Sequence, residues 1–231
     1  MSGKISWRAL LGVEGVPLTL RERLVSALGG LIAILTLFVV SGWLLGAQAA
    51  LPVVASMGAS TVLLFSLPHG PLSQPWPVFG GHVVSALIGV TCAQWLDDPF
   101  LAGALAVGLA IAAMHLLRCL HPPGGATALV SVIGGPAITG LGYGFVLAPV
   151  ALNATLLVLL AVLLNAPFAW RRYPAHLNRW RRSSASVEEK PAIRHEDFVY
   201  ALSQLDTYVD VSEDDLLRIY ALATGRQSPD A

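Results

Sequence analysis

Residues 118–127 read RCLHPPGGAT and interrupt the most apolar part of the chain. Pro122 and Pro123 have no backbone N–H and disfavour helix immediately before them, whereas proline is well tolerated in the first turn of a helix. The stretch therefore predicts that one helix ends here and that another begins near Pro123. A helix N-terminus beside the Thr127 hydroxyl is suited to bind an anion. The alternative is a plain loop between two membrane helices.

The composition indicates a membrane protein. The chain has 231 residues, of which 55% are hydrophobic and 12% are charged, whereas soluble domains average about 25% charged residues. Between Leu24 and Trp170 the only Asp, Glu, Lys or Arg residues are Asp97, Asp98 and Arg118. A soluble domain of that size needs a charged surface, but a domain inside a bilayer does not. We therefore expect an all-α membrane protein whose partner is the lipid bilayer and which does not bind nucleic acid.

Charge and apolar runs divide the chain into four segments. They are a basic leader at 1–23, a transmembrane domain at 24–170, a basic and Ser-rich linker at 171–190, and a small helical cytoplasmic tail at 191–231. The arginines of the linker are interpreted as a topology anchor at the lipid head groups.

An internal repeat organises the transmembrane domain. Residues 58–60 (GAS) match residues 125–127 (GAT) at an offset of 67, and the same offset aligns the starts of the spans that follow. We predict about six transmembrane elements, arranged as two inverted three-element repeats, with short broken helices at 52–67 and 123–134. This topology places Arg118 and both termini on the cytoplasmic side. A topology with four crossings and two re-entrant elements remains open.

The two predicted breaks are the candidate site. Their small residues would expose backbone N–H groups and hydroxyls to one cavity near the midplane, where two positive helix ends favour a small anion. The lack of acidic residues inside the spans argues against a cation path, but small residues can also serve helix packing alone. The predicted substrate-binding residues are Ser56, Gly58, Ala59, Ser60, Thr61, His121, Pro122, Pro123, Gly124, Gly125, Ala126 and Thr127.

Three further residues are predicted to support this site: His82, Arg118 and Asn153. His121 can hydrogen-bond the backbone at the helix break or act as a proton-coupling group. A metal site is not predicted, because no histidine has an H-x-x-x-H or carboxylate partner beside it. No cofactor is expected, and the chain lacks the usual hydrolase, P-loop and dinucleotide motifs, so we do not expect an enzyme. An intramembrane metal-dependent enzyme is the alternative.

The chain resembles the HPP family of integral membrane proteins over about residues 20–175. The matching stretches are MGASTVLLF at 57–65, PLSQPWP at 71–77, GGH at 80–82 and RCLHPPGGATAL at 118–129. Longer family members carry paired nucleotide-sensing CBS modules after a helical linker; residues 195–223 resemble that linker, and the modules are absent from this sequence. Plastid and cyanobacterial relatives are linked to nitrite transport, which implies a small-anion substrate.

These observations predict a transporter or channel for a small inorganic anion, with nitrite as the first candidate. The expected location is a bacterial inner membrane. The Ala- and Gly-rich span at 100–117 is suited to packing in a homodimer. The alternative function is a non-transporting membrane scaffold or sensor whose C-terminal tail docks a partner.

Overall fold

The computed structural model describes residues 18–178. Residues Leu24–Arg181 form one compact unit. Most of the predicted leader and linker, and the whole of the predicted helical tail, lie outside the described residues.

Helices and their connecting turns make up the described part of the chain. The α-helices are α1 (Leu20–Leu45), α2 (Ala47–Ser66), α3 (Pro75–Trp95), α4 (Pro99–Leu116), α5 (Pro123–Ile133), α6 (Pro136–Thr139) and α7 (Leu152–Asn165). A π-helical segment, Val146–Ala151, leads into α7 and is kinked at Ala148. Short 3₁₀ turns occupy Pro71–Ser73, Ala169–Arg171 and Ala175–Asn178.

Prolines account for several helix starts. Helices α3, α4, α5 and α6 each begin at a proline, where the missing N–H breaks no intrahelical bond. Asp98 also caps α4, because its carboxylate accepts a hydrogen bond of 2.8 Å from the Leu101 backbone N–H. The predicted helix start at Pro123 is confirmed.

Five elements within residues 18–178 are long and apolar enough to cross a bilayer: α1, α2, α3, α4 and the stretch Val146–Asn165. Helix α5, with 11 residues, is a shorter apolar helix. Together they form the six elements of the predicted all-α membrane fold.

One predicted element differs from the structure. The short broken helix expected at 52–67 is instead α2, a continuous helix of 20 residues that contains Pro52. A proline near the start of a membrane helix is tolerated because neighbouring groups satisfy the freed carbonyl. Helix α2 ends at Ser66 and α5 ends at Ile133, so the C-terminal ends of the two elements still keep the predicted offset of 67.

Hydrogen bonds at the helix ends show which ends lie on the same side. Arg171, after α7, donates to Ser26 Oγ near the start of α1 at 2.9 Å and to the Phe65 carbonyl at the end of α2. Trp76, at the start of α3, donates from Nε1 to the Leu117 carbonyl after α4 at 3.1 Å. The short connection between α2 and α3 is tied to the same side, because Gln74 Oε1 accepts from the Ala175 N–H at 2.9 Å. We call this side, which also holds Arg118, the arginine face; Asp97 and Asp98 lie at the opposite ends of α3 and α4.

Candidate functional site

His82 occupies the point where three helices meet. It lies on α3 and is fully buried. Its Nε2 is 2.7 Å from the Ser60 hydroxyl of α2, and its Nδ1 is 2.7 Å from the Thr127 hydroxyl of α5. Ser60 and Thr127 are the two positions that the sequence repeat pairs. The paired hydroxyls therefore bind opposite nitrogens of one imidazole ring.

A second buried histidine completes the centre of the site. His121, just before α5, has its Nε2 2.8 Å from the same Ser60 hydroxyl. Its Nδ1 is 2.8 Å from the Leu72 carbonyl in the turn that precedes α3. A carbonyl can only accept, so Nδ1 of His121 carries a hydrogen. The rings of His82 and His121 lie 5.0 Å apart between centroids, with 64° between their planes.

The chain of hydrogen bonds continues along α2. Thr127 Oγ1 lies 3.3 Å from Ser56 Oγ, and the Ser56 hydroxyl donates to the Val53 carbonyl at 2.7 Å. We refer to the whole chain as the histidine–hydroxyl network. From end to end, it consists of the Leu72 carbonyl, His121, Ser60, His82, Thr127, Ser56 and the Val53 carbonyl.

Glycines permit the close packing that brings these groups together. A Cβ atom on Gly81 would lie 2.6 Å from Cβ of His121, and one on Gly124 would lie 2.8 Å from the Gly81 carbonyl oxygen. Further along α3, a Cβ atom on Gly89 would lie 2.5 Å from the Ala128 carbonyl oxygen of α5. Small residues that let helix backbones touch are typical of membrane helix interfaces. We call Gly81, Gly89 and Gly124 the glycine seam. Their close packing places the ring of His121 beside that of His82.

The structure brings together only some of the predicted site residues. Ser56, Ser60, His121 and Thr127 join the network. Thr61 is buried but donates to the Met57 carbonyl of its own helix at 3.0 Å. The other predicted residues serve packing or face outward: Pro123 and Gly124 are buried, Gly58 and Gly125 are half-buried, and Ala59, Pro122 and Ala126 are exposed.

The predicted pair of helix N-termini is wrong. Residues 58–61 lie inside the continuous helix α2, so their N–H groups face no cavity as a helix start would. At the start of α5, the Gly124 N–H donates to the His121 carbonyl at 2.8 Å and the Gly125 N–H donates to the Pro122 carbonyl at 3.0 Å. The polar groups that meet at the site are imidazoles and hydroxyls of side chains.

The supporting residues separate into three roles. His82 is central, because it bonds to both repeat-related hydroxyls. Asn153 lies elsewhere, on α7, and its Nδ2 donates to Ser41 Oγ of α1 at 2.7 Å. Arg118 is exposed on the arginine face and adopts a left-handed backbone with a φ of 53°.

Two groups that form buried hydrogen bonds in the structure were not predicted from the sequence. The Leu72 carbonyl holds His121, and a backbone acceptor in a Pro-rich connection leaves no sequence signal. Arg171 is fully buried, in contrast to the predicted head-group anchor, and its Nε donates to Asn165 Oδ1 at 3.0 Å. A position directly after an apolar span is compatible both with a place at the lipid head groups and with burial in the protein.

An open cavity lies beside the network on the arginine face. It has a volume of about 550 Å³. Its lining residues come from the connection between α2 and α3, from the start of α3 and from residues 174–176: His69, Pro71, Gln74, Pro75, Trp76, Pro174, Ala175 and His176. The turn Pro71–Ser73 in that connection is hydrogen-bonded to His121 through the Leu72 carbonyl.

Within residues 18–178 no group of three or more His, Cys, Asp or Glu side chains is placed so that it could hold a metal ion. The two buried histidines are instead joined by a hydroxyl.

Comparison with known proteins agrees with this architecture. The family model described as the HPP transmembrane region matches residues 16–174. The chain belongs to the HPP transmembrane family. The match covers α1 to α7 and therefore contains every residue of the network.

Two relatives of the HPP chain are transmembrane proteins of Dictyostelium discoideum. One is 38% identical over 125 residues, which cover 52% of this chain and 40% of the relative. The other is 36% identical over 127 residues, which cover 53% of this chain and 44% of the relative. The matched region thus spans less than half the length of these relatives. No solved structure matches the chain.

Proposed function

We propose that this HPP protein carries a small inorganic anion across the membrane, with nitrite as the first candidate. The observation that supports this proposal is the histidine–hydroxyl network itself. Ser60, His82 and Thr127 come from three different membrane-embedded helices, and all are fully buried. Polar side chains in this position are costly in a bilayer and usually belong to a substrate or ion pathway.

The chemistry of the network suits an anion better than a metal cation. Hydroxyl O–H and imidazole N–H groups can replace the water that a small anion loses inside the membrane. Helices α2 and α5 contain no Asp or Glu, and α3 contains none either. A monovalent anion would therefore meet donors without a fixed negative charge nearby.

We propose that the anion reaches the network from the cavity on the arginine face. We propose that movement of the 3₁₀ turn Pro71–Ser73 opens the way, because this turn is bonded to His121 through the Leu72 carbonyl. The arrangement in which the network is fully buried corresponds to a closed state of the transporter. By the positive-inside rule, we assign the arginine face to the cytoplasmic side of a bacterial inner membrane.

Two further features of the proposal concern the whole protein. We propose that it acts as a carrier without a catalytic step. We also propose a homodimer that packs through α4, whose outward face includes Leu105, Leu109 and the open position at Gly108.

Anion uptake into liposomes tests the transport proposal. Purified protein is reconstituted, and uptake of nitrite, nitrate, formate and chloride is compared with uptake into empty liposomes. We expect nitrite uptake above the empty-liposome rate and a loss of at least about tenfold in Thr127→Val, which keeps the side-chain shape but removes the hydroxyl. Ser131→Ala is the matched control, because Ser131 is buried on the same helix and donates only to the Thr127 carbonyl. Uptake of all four anions at the empty-liposome rate would show that the protein is not such a carrier.

A further inference from the structure

The two ends of the histidine–hydroxyl network are both acceptors. At one end His121 must donate to the Leu72 carbonyl, and at the other end Ser56 must donate to the Val53 carbonyl. Between these ends the network contains six contacts in a line, and each contact needs one hydrogen. The neutral side chains of two histidines and three hydroxyl residues supply only five such hydrogens.

We propose that the network is a binding site for one proton, which His82 and His121 share through the Ser60 hydroxyl. With that proton, each of the six contacts becomes a hydrogen bond.

The direction of each bond follows from the ends. Because Ser56 donates to Val53, its oxygen accepts from Thr127, and the oxygen of Thr127 then accepts from Nδ1–H of His82. His121 also carries a hydrogen on Nδ1. Only the direction of the two hydrogen bonds at Ser60 is then left to assign. Ser60 accepts from one imidazole Nε2–H and donates to the Nε2 of the other.

The proton can therefore move between the rings without leaving the site. Protonated His121 gives its Nε2 hydrogen to Ser60 Oγ, while the Ser60 hydroxyl gives its own hydrogen to Nε2 of His82. The O–H and N–H bonds that break are replaced by equivalent bonds, and the positive charge moves from His121 to His82. With ring centroids only 5.0 Å apart, a second positive charge is disfavoured. The capacity of the site is therefore one proton.

Without the added proton, one contact lacks a hydrogen. The Thr127–Ser56 contact is the longest in the network at 3.3 Å, and its loss leaves five bonds for five hydrogens. In that neutral form His82 carries its hydrogen on Nε2 and accepts from Thr127 at Nδ1. Proton binding therefore adds a hydrogen to Nδ1 of His82, which provides a specific signature.

Few other ionisable groups surround the network. In the described part of the chain, helices α2, α5 and α7 and the turn Pro71–Ser73 contribute no ionisable side chain. Apart from His82, helix α3 contains Cys92, which lies further along the helix. Cys119 lies beside Gly80 of α3. His115 of α4 is exposed. Near the arginine face, Arg171 and Tyr173 bond instead to the Phe65 and Ser73 carbonyls.

Nitrogen NMR of the protein labelled at histidine tests the site directly, with no anion present. As pH falls we expect uptake of one proton by this pair and a change of His82 Nδ1 from unprotonated to protonated. The signals are assigned with His82→Asn and His121→Asn. A wild-type protein whose two buried rings remain neutral over the whole range of pH in which it is folded would overturn the proposal.

Removal of one hydroxyl tests whether the number of hydrogens in the network, and not the packing around it, determines its proton affinity. In Ser56→Ala, four contacts remain for four hydrogens, so an added proton is no longer needed, although Ser56 is hydrogen-bonded to neither ring. We expect the proton affinity to fall at least about tenfold, or one pH unit in the midpoint of uptake. Ser131→Ala removes a hydroxyl outside the network and should keep the wild-type midpoint. Equal midpoints for Ser56→Ala and wild type would contradict the shared network. Melting temperatures in detergent establish that both variants are folded.

Discussion

Two buried polar regions of the membrane domain use hydrogen bonds in different ways. Around Arg171 the bonds to Ser26, Phe65 and Asn165 have a fixed direction, because a guanidinium can only donate to these oxygens. In the histidine–hydroxyl network, hydroxyls and imidazoles can exchange donor and acceptor roles. The first region is a fixed tie between the ends of α1, α2 and α7. The second can change its proton arrangement while its heavy atoms stay in place, and the proposed proton site depends on this freedom.

The fixed tie should give the largest loss of stability when it is broken. Arg171→Met removes the charged hydrogen bonds to three helices, so we expect the free energy of unfolding to fall by about 3 kcal/mol. Thermal unfolding in detergent measures this loss. Arg172→Met is the matched control, because Arg172 is exposed and should change stability by less than about 0.5 kcal/mol. Similar losses of stability for both variants would contradict the conclusion that the buried bonds of Arg171 stabilise the fold.

The glycine seam provides the next largest effect. An added methyl group in Gly81→Ala collides with His121 at 2.6 Å, so we expect a destabilisation of about 2 kcal/mol. Gly58→Ala on α2 is the control, because nothing lies within 4 Å of its added Cβ atom. The control should gain up to about 1 kcal/mol from the helix preference of alanine. Opposite signs for the two variants in thermal unfolding would confirm the close packing of α3 on His121, and equal signs would contradict it.

The smallest effect is expected at Asn153, whose side-chain nitrogen has a hydrogen-bond partner while its oxygen has none among the described residues. Asn153 Oδ1 is buried and has no hydrogen-bond partner among the described residues. In Asn153→Leu the lost bond to Ser41 is therefore offset by removal of this unpaired oxygen, and stability should change by less than about 1 kcal/mol. Proton uptake by the two buried histidines should remain at the wild-type midpoint. A shifted midpoint of proton uptake would show that the bond between Asn153 of α7 and Ser41 of α1 influences the network.

The sequence repeat predicted which two hydroxyls lie together, but it did not predict the continuous helix that carries one of them. The repeat paired Ser60 with Thr127, and both bind His82. Yet the small residues around Gly58 were interpreted as a break, whereas they allow α2 to pack as an uninterrupted helix. Glycine and serine produce the same local pattern in a broken membrane helix and in a tightly packed one. Only tertiary contacts distinguish the two cases, and the same holds for the Leu72 carbonyl and for the burial of Arg171.

The depth of Ser60 within α2 has an electrical consequence. Ser60 lies six residues before the end of that helix at Ser66, or about 9 Å at the rise of an α-helix. A bilayer core is about 30 Å thick, so a charge that enters from the arginine face to reach Ser60 crosses roughly a third of the membrane voltage. At 100 mV this corresponds to about 0.7 kcal/mol for one elementary charge. The occupancy of the two imidazoles would then respond to membrane potential as well as to acidity.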